Sequence, residues 1–289
     1  MEQALVVGVD GSDASLRALD WAVDEAVRRG VDLRVVCGSS WEWYEGHEPS
    51  FDINRRVVQK FADRMVDRAV ERAMRRTVAV KVTGQVAPAD PAAALITESR
   101  RAGAVIVGNR GRGELAGLLV GSVSLAVAAH AECPVIVVRG TEQSRNGAFG
   151  RVVVGVDEAK DAAPALEFAF RAAKRRDAHL LAVHAWRCPA HELPDHPIAE
   201  DAVESHRLRA QGELTQALRN MGDAHHDPAV RGEVVEGRAR TALLDAAKTA
   251  DLLVVGARRR KGHVGMQLGP VNHAVLHHAT CPVAIVPHA

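Results

Sequence analysis

The sequence predicts an α/β protein of two tandem domains, each built on an open parallel sheet of five strands with helices on both faces. Three observations lead there. The chain contains its own copy: "ALVVGVDGSDASLRALDWAV" returns as "RVVVGVDEAKDAAPALEFAF", with Asp10 and Asp157 in register. Short β-branched runs alternate with segments of helical spacing, which is the pattern of buried parallel strands and crossover helices. Apolar residues make up 47% of the 289 residues while aromatics make up only 3%, so the cores must be aliphatic.

The duplication extends to the ends of the halves. "LRVVCGSSW" returns as "LLAVHAW", and "AVIVGNRGRGELAGLLVGSVSLAVAAHAECPVIVVR" returns as "DLLVVGARRRKGHVGMQLGPVNHAVLHHATCPVAIVP", at an offset of about 148 residues. The polar stretch "GTEQSRNGAFG" joins the halves, giving expected domains 1–143 and 149–289. In the first half "ALVVGV", "LRVVC", "VAVKVTG", "AVIVG" and "PVIVV" read as strands buried on both faces. The first helix opens at Ser12 as N-cap and closes near Gly30, with Leu16, Leu19, Val23 and Val27 on its inner stripe. A second helix is expected to bury Val58, Phe61, Met65, Ala69 and Ala73, and Asp90-Pro91 opens a third by N-cap and N1 chemistry.

Charge and composition exclude several classes. A net charge of +1 provides no global field toward nucleic acid or an anionic membrane, so an anion site must be local. No apolar run approaches the roughly 18 residues of a membrane span, and "MEQALVVGVDGS" lacks a basic n-region and a cleavage site, which makes a cytoplasmic location the expectation. Cys37, Cys133, Cys188 and Cys281 have no CxxC spacing and are read as reduced thiols.

The loop "GNRGRGELAGLLVGS" follows the fourth strand, where an open parallel sheet presents helix N-termini to anions. Its spacing is Gly108-x2-Gly111-x9-Gly121-Ser122. Gly108 is expected to admit a ligand to the strand end, and Gly111 to permit a tight or left-handed turn. Gly121, Ser122, Val123 and Ser124 open a helix whose N–H groups and hydroxyls suit phosphate oxygens, with Arg110 and Arg112 adding positive charge. No GxxxxGK[ST] occurs, and the dinucleotide-like "GRGELAG" follows the wrong strand. The competing reading is a glycine-rich turn kept for packing.

On these residues the sequence resembles the universal stress protein family in its tandem form, over nearly the whole chain. The resemblance implies Rossmann-like sheets of strand order 3-2-1-4-5 and ATP held between the ends of strands 1 and 4, with or without Mg2+. It implies that Asp10, Gly11 and Ser12 bind the nucleotide, with Asp10 taking ribose hydroxyls, that the Gly38 backbone meets the adenine edge, and that Gly111, Gly121, Ser122, Val123 and Ser124 contact phosphates. A carboxylate suits hydroxyl donors and repels phosphates, which agrees with that placement. The alternative for Asp10 is a helix cap. A homodimer is likewise implied.

In the second half Asp157, Ala185, Gly256 and Gly269 hold the corresponding positions, as a weak second site. Arg259 replaces the middle glycine, Pro270 replaces the serine and lacks its N–H and hydroxyl, and Glu158 stands near the expected anion. Arg258-Arg259-Arg260-Lys261 reads as a solvated loop rather than a nucleic-acid site. His273 and His277 lie one helical turn apart, but His278 and Cys281 do not complete a zinc set. No nucleophile and base pair is visible, so no catalytic residue is assigned. The expected function is that of an ATP-binding stress-response or regulatory protein, with adenine nucleotide as partner, bound mainly in the first half as a structural or switch ligand. The rival readings are a nucleotide-free dimeric scaffold or chaperone-like protein and a slow adenine-nucleotide hydrolase.

Overall fold

The computed structural model describes residues 3–39, 52–111, 119–188, 198–221, 229–258 and 268–288. It divides into two compact units between Arg139 and Gly140.

The first unit runs β1 (Leu5–Gly8), α1 (Asp13–Arg29), β2 (Leu33–Gly38), α2 (Asp52–Arg76), β3 (Val82–Ala87), α3 (Pro91–Ser99), β4 (Ala104–Gly108), α4 (Ser122–His130) and β5 (Val135–Val138). All pairings are parallel: β1 lies between β2 and β4, β3 joins β2, and β5 joins β4, giving the order β3-β2-β1-β4-β5. Every residue of β4 is buried, because a central strand is covered by helices on both faces. The helices α1 and α2 pack together, as do α3 and α4. Two bidentate ion pairs, Arg72 with Asp20 and Arg76 with Asp24, tie α2 to α1.

The second unit repeats this plan after a short helix α5 (Glu142–Arg145): β6 (Arg151–Val156), α6 (Ala163–Arg176), β7 (His179–Trp186), α7 (Ile198–Arg219), β8 (Val230–Glu236), α8 (Ala239–Ala247), β9 (Leu252–Arg258), α9 (Pro270–His278) and β10 (Val283–His288). Its parallel order is β10-β9-β6-β7-β8. The stretch after Gly140 is fastened to this unit: the Thr141 N–H and the Ser144 hydroxyl both donate to the Thr280 carbonyl, and the Phe149 and Arg151 N–H groups donate to the buried Asp251 carboxylate.

Local chemistry explains the helix ends. Ser12 caps α1 by accepting from the Ser15 N–H, and Gly30 closes it with a left-handed φ of 64°. Asp90 accepts from the Ala92 and Ala93 N–H groups, with Pro91 in the first turn of α3. Three expectations need correction. The inner face of α1 is Ala18, Leu19, Ala22, Val23 and Ala26, while Val27 is 41% exposed. The stripe of α2 is Ala62, Val66, Ala69 and Ala73; Phe61 is 53% exposed, and the Val58 side chain lies outside the described residues. In α2 alanine and valine form the buried row, because close approach to the sheet outweighs side-chain size, whereas α1 also buries Leu19 and Trp21. The third strand is Val82–Ala87 rather than the segment from Val78, which is 99% exposed. As an edge strand it buries only its ends and not both faces.

Candidate functional site

The site is built where the chain leaves β1 and β4. Beyond β1 the Val9 N–H still donates to the Val36 carbonyl, at 2.9 Å, so Asp10 emerges at the sheet's carboxyl edge beside β2. Gly11 then turns the chain with a φ of 77°, a conformation that favours glycine. Asp10 Oδ1 accepts from both the Ser12 N–H at 2.9 Å and the Ser12 hydroxyl at 2.6 Å. Ser12, not Asp10, is the cap of α1. Ser15, buried in the first turn, donates to the Ser12 carbonyl at 2.9 Å, and its Oγ lies 3.4 Å from the Asp10 N–H.

The loop after β4 folds back on this carboxylate. The Gly121 N–H donates to the Asn109 carbonyl at 2.8 Å, which brings the two ends of the loop together. A Cβ on Gly111 would stand 2.6 Å from Asp10 Oδ2, and one on Gly121 would stand 3.7 Å from the Gly111 nitrogen. Asp10, Gly111 and Gly121 are therefore neighbours. Gly121 is the N-cap of α4, and among the described residues no side chain caps this helix. Its first internal bond runs from the Leu125 N–H to the Gly121 carbonyl, so the N–H groups of Ser122, Val123 and Ser124 precede the helical ladder. They face the carboxyl edge of the sheet with the positive end of the helix dipole. Ser122 and Arg110 are exposed.

Several sequence-based roles change. Gly108 does not leave room for a ligand: a Cβ there would lie 2.7 Å from both the carbonyl carbon and oxygen of Ala14, so its glycine lets the first turn of α1 sit on β4. Gly111 does not adopt a left-handed φ; it is small because Asp10 lies against it. The Ser124 hydroxyl is buried and donates to the Gly108 carbonyl at 2.7 Å, which commits its proton to the fold and leaves only its backbone N–H for an anion. Gly38 ends β2 beneath the turn into α3, where a Cβ would come 2.4 Å from Pro91 Cα. Arg112 lies outside the described residues.

The second unit retains the frame and loses the polar groups. With Asp10 matched to Asp157, the counterpart of Asp13 is Lys160, yet α6 begins only at Ala163 and its N-cap, Ala162, offers no side-chain acceptor. Asp157 is exposed, whereas Asp10 is half-buried. Glu158 pairs with Lys160 at 2.7 Å, and this hydrogen-bonded carboxylate holds the Lys160 ammonium above its ordinary pKa. Arg258, the counterpart of Arg110, pairs with Asp161. Gly269 caps α9, but Pro270 has no N–H to present. The Asn272 amide donates to the Gly256 carbonyl at 3.1 Å, repeating the Ser124 bond to Gly108. Ala185 pairs with Val235 in the strand interior. Arg259, Arg260 and Lys261 lie outside the described residues. His273 and His277 stack with ring centroids 6.1 Å apart, and among the described residues no three His, Cys, Asp or Glu side chains gather as metal ligands.

The universal stress protein family profile matches residues 1–139 and 148–287. The chain belongs to this family. A universal stress protein of Mycobacterium tuberculosis is 34% identical, over 97% of this chain and 94% of the relative. One from Mycolicibacterium smegmatis is 30% identical, over 99% of this chain and 97% of its own. Among solved structures, a universal stress protein from Archaeoglobus fulgidus is similar over 99% of this chain and 98% of that one, with a TM-score of 0.70 at 20% identity, a likeness of fold.

Sequence reasoning overlooked Ser15 and His184. Ser15 buttresses Ser12, and the signal was its replacement by Ala162 in the second universal stress protein domain. His184 Nδ1 donates to the Val156 carbonyl at 3.0 Å, at the position in β7 that matches Cys37 in β2.

Proposed function

We propose that the first domain binds ATP, and that the chain is a stress-response or regulatory protein in which the nucleotide is a structural or switch ligand. The observation that carries this reading is the adjacency of a carboxylate and a helix N-terminus that no side chain caps among the described residues: Asp10 against Gly111, and Gly111 against Gly121. A nucleoside triphosphate matches that pair. Its ribose hydroxyls donate to the Asp10 carboxylate, and its phosphates accept from the N–H groups of Ser122, Val123 and Ser124 and from the Ser122 hydroxyl, with Arg110 nearby. Gly38 stands one strand over, where its backbone meets the adenine edge. Any accompanying Mg2+ would be held by phosphate oxygens together with water.

The second domain binds ATP weakly or not at all. Pro270 removes an N–H, Asp157 lacks the serine that holds Asp10, and Arg258, the counterpart of Arg110, is paired with Asp161. No general base is assigned, so the output is mass action: a ligand at about 100 times its Kd adds about 2.7 kcal/mol to the folded form. The cytoplasmic location and the homodimer belong to the same proposal and rest on the family resemblance. The test is calorimetric titration of ATP into Asp10→Ala and Gly121→Val. Affinity falls by about tenfold or more in each, as expected when a hydrogen bond to a charged group or close backbone contact with phosphate is lost. Unchanged affinity in both places the nucleotide elsewhere.

A further inference from the structure

We infer that Ser12 is a positioning residue, whose hydroxyl fixes the Asp10 carboxylate for the ribose and does not itself contact the phosphates. This rests on the ATP reading of the first domain. A hydroxyl has one proton to give. Ser12 Oγ stands 2.6 Å from Asp10 Oδ1, and a carboxylate only accepts, so the proton lies on that bond. The same oxygen accepts from the Ser15 N–H at 3.2 Å, as a helix cap. Both the donor and one acceptor site of Ser12 are thus spent inside the protein. A phosphate oxygen, itself an acceptor, has nothing to receive from it.

The carboxylate, in contrast, gains from the arrangement. Two donors from one residue, the Ser12 N–H and hydroxyl, converge on Oδ1 and hold the side chain in one rotamer. Oδ2 is thereby turned toward Gly111, the side from which the loop presents α4. The second domain provides the natural comparison. It keeps the aspartate as Asp157 but carries Ala159 and Ala162 in place of Ser12 and Ser15, its helix starts at Ala163, and its aspartate is exposed. The carboxylate alone does not build the site; the hydroxyl that aims it is one of the parts the second domain lacks.

The test is a double-mutant cycle read by calorimetry with ATP and with 2′,3′-dideoxy-ATP, which lacks the ribose hydroxyls. Ser12→Gly removes the hydroxyl and keeps an accepted N-cap residue and the backbone N–H. It weakens ATP by about tenfold, the scale of leaving one side chain to be ordered by the ligand. Dideoxy-ATP binds Ser12→Gly and wild type alike, Ser12→Thr restores ATP affinity, and Ser12→Gly added to Asp10→Ala has no further effect. Equal losses for both nucleotides, or an undiminished loss in the Asp10→Ala background, overturn the positioning role while the ATP reading stands. A wild-type chain that binds neither nucleotide overturns the ATP reading and this inference with it.

Discussion

Adding one methyl group at two glycines of the same loop separates folding from binding. At Gly108 the new Cβ meets the Ala14 carbonyl carbon and oxygen at 2.7 Å and the Ser15 nitrogen at 3.0 Å. These are backbone atoms of the first turn of α1, with no torsion to rotate away, so the helix must shift from the sheet. Overpacking of this kind costs about 1–3 kcal/mol. Against fixed backbone the cost falls in the upper part of that range, about 2–3 kcal/mol, and the smaller conformational freedom of unfolded alanine returns about 1 kcal/mol, leaving a net loss of about 1–2 kcal/mol. That corresponds to a melting temperature lower by roughly 2–8 °C for a protein of this size class. At Gly111, among the described residues, the Cβ meets only the Asp10 carboxylate, with Oδ2 at 2.6 Å and Cγ at 3.8 Å. Asp10 relieves the clash by rotating, and its half-buried carboxylate exchanges the Ser12 donors for water. Water replaces the lost Ser12 donors in part and unfolded alanine returns up to about 1 kcal/mol, so stability falls by about 1 kcal/mol or less. Binding does not recover so easily, because the ribose acceptor has moved, and ATP affinity falls by about tenfold or more. Differential scanning calorimetry and ATP titration of Gly108→Ala and Gly111→Ala check both halves. A Gly111→Ala protein that binds ATP like wild type, or a Gly108→Ala protein that melts like wild type, refutes this division of roles.

Ser124→Ala leaves the buried Gly108 carbonyl without its hydroxyl donor and lowers stability by about 1–2 kcal/mol in denaturant unfolding, whereas Ser124→Asn, the residue of the second domain at Asn272, recovers part of the loss. Asp20→Asn combined with Asp24→Asn removes the partners of Arg72 and Arg76, whose guanidinium pKa values are raised first by these hydrogen bonds. A raised basic pKa contributes stability fully below its unfolded value and loses it only as pH rises through the folded one, so this contribution is flat across about pH 6–9. Because the pairs are partly exposed, the double substitution costs about 1 kcal/mol or less, and molar salt shrinks the difference in chemical denaturation.

The elements were legible where a residue's role is local. Ser12, Gly30 and Asp90-Pro91 mark helix ends by bonds within a few residues, and "AVIVG" coincides with β4 because a central strand has no polar face to blur its pattern. The errors arose where a role depends on what lies opposite. Phe61 and Met65 drew the stripe of α2 onto large residues, while the sheet accepts the row of Ala62, Val66, Ala69 and Ala73. The β propensity of "VAVKV" points to a strand that starts before Val82, and an edge strand offers little burial to fix its bounds. The site shows the same limit. Spacing identified Gly108 and Gly111, but not that one is small for the backbone of α1 and the other for Asp10. The Ser124 hydroxyl serves as a helix-to-strand clasp, a role that its counterpart Asn272 already hinted at by preserving a donor, and this leaves only the Ser124 N–H for a phosphate.

Counting the adenine nucleotides bound per chain, by native mass spectrometry on protein saturated with ATP, bears most directly on the proposed asymmetry. One ATP per chain, retained in a protein with Pro270 restored to Ser and lost on Asp10→Ala, is the expected result. Two tightly bound ATP molecules per wild-type chain, or none, contradict it.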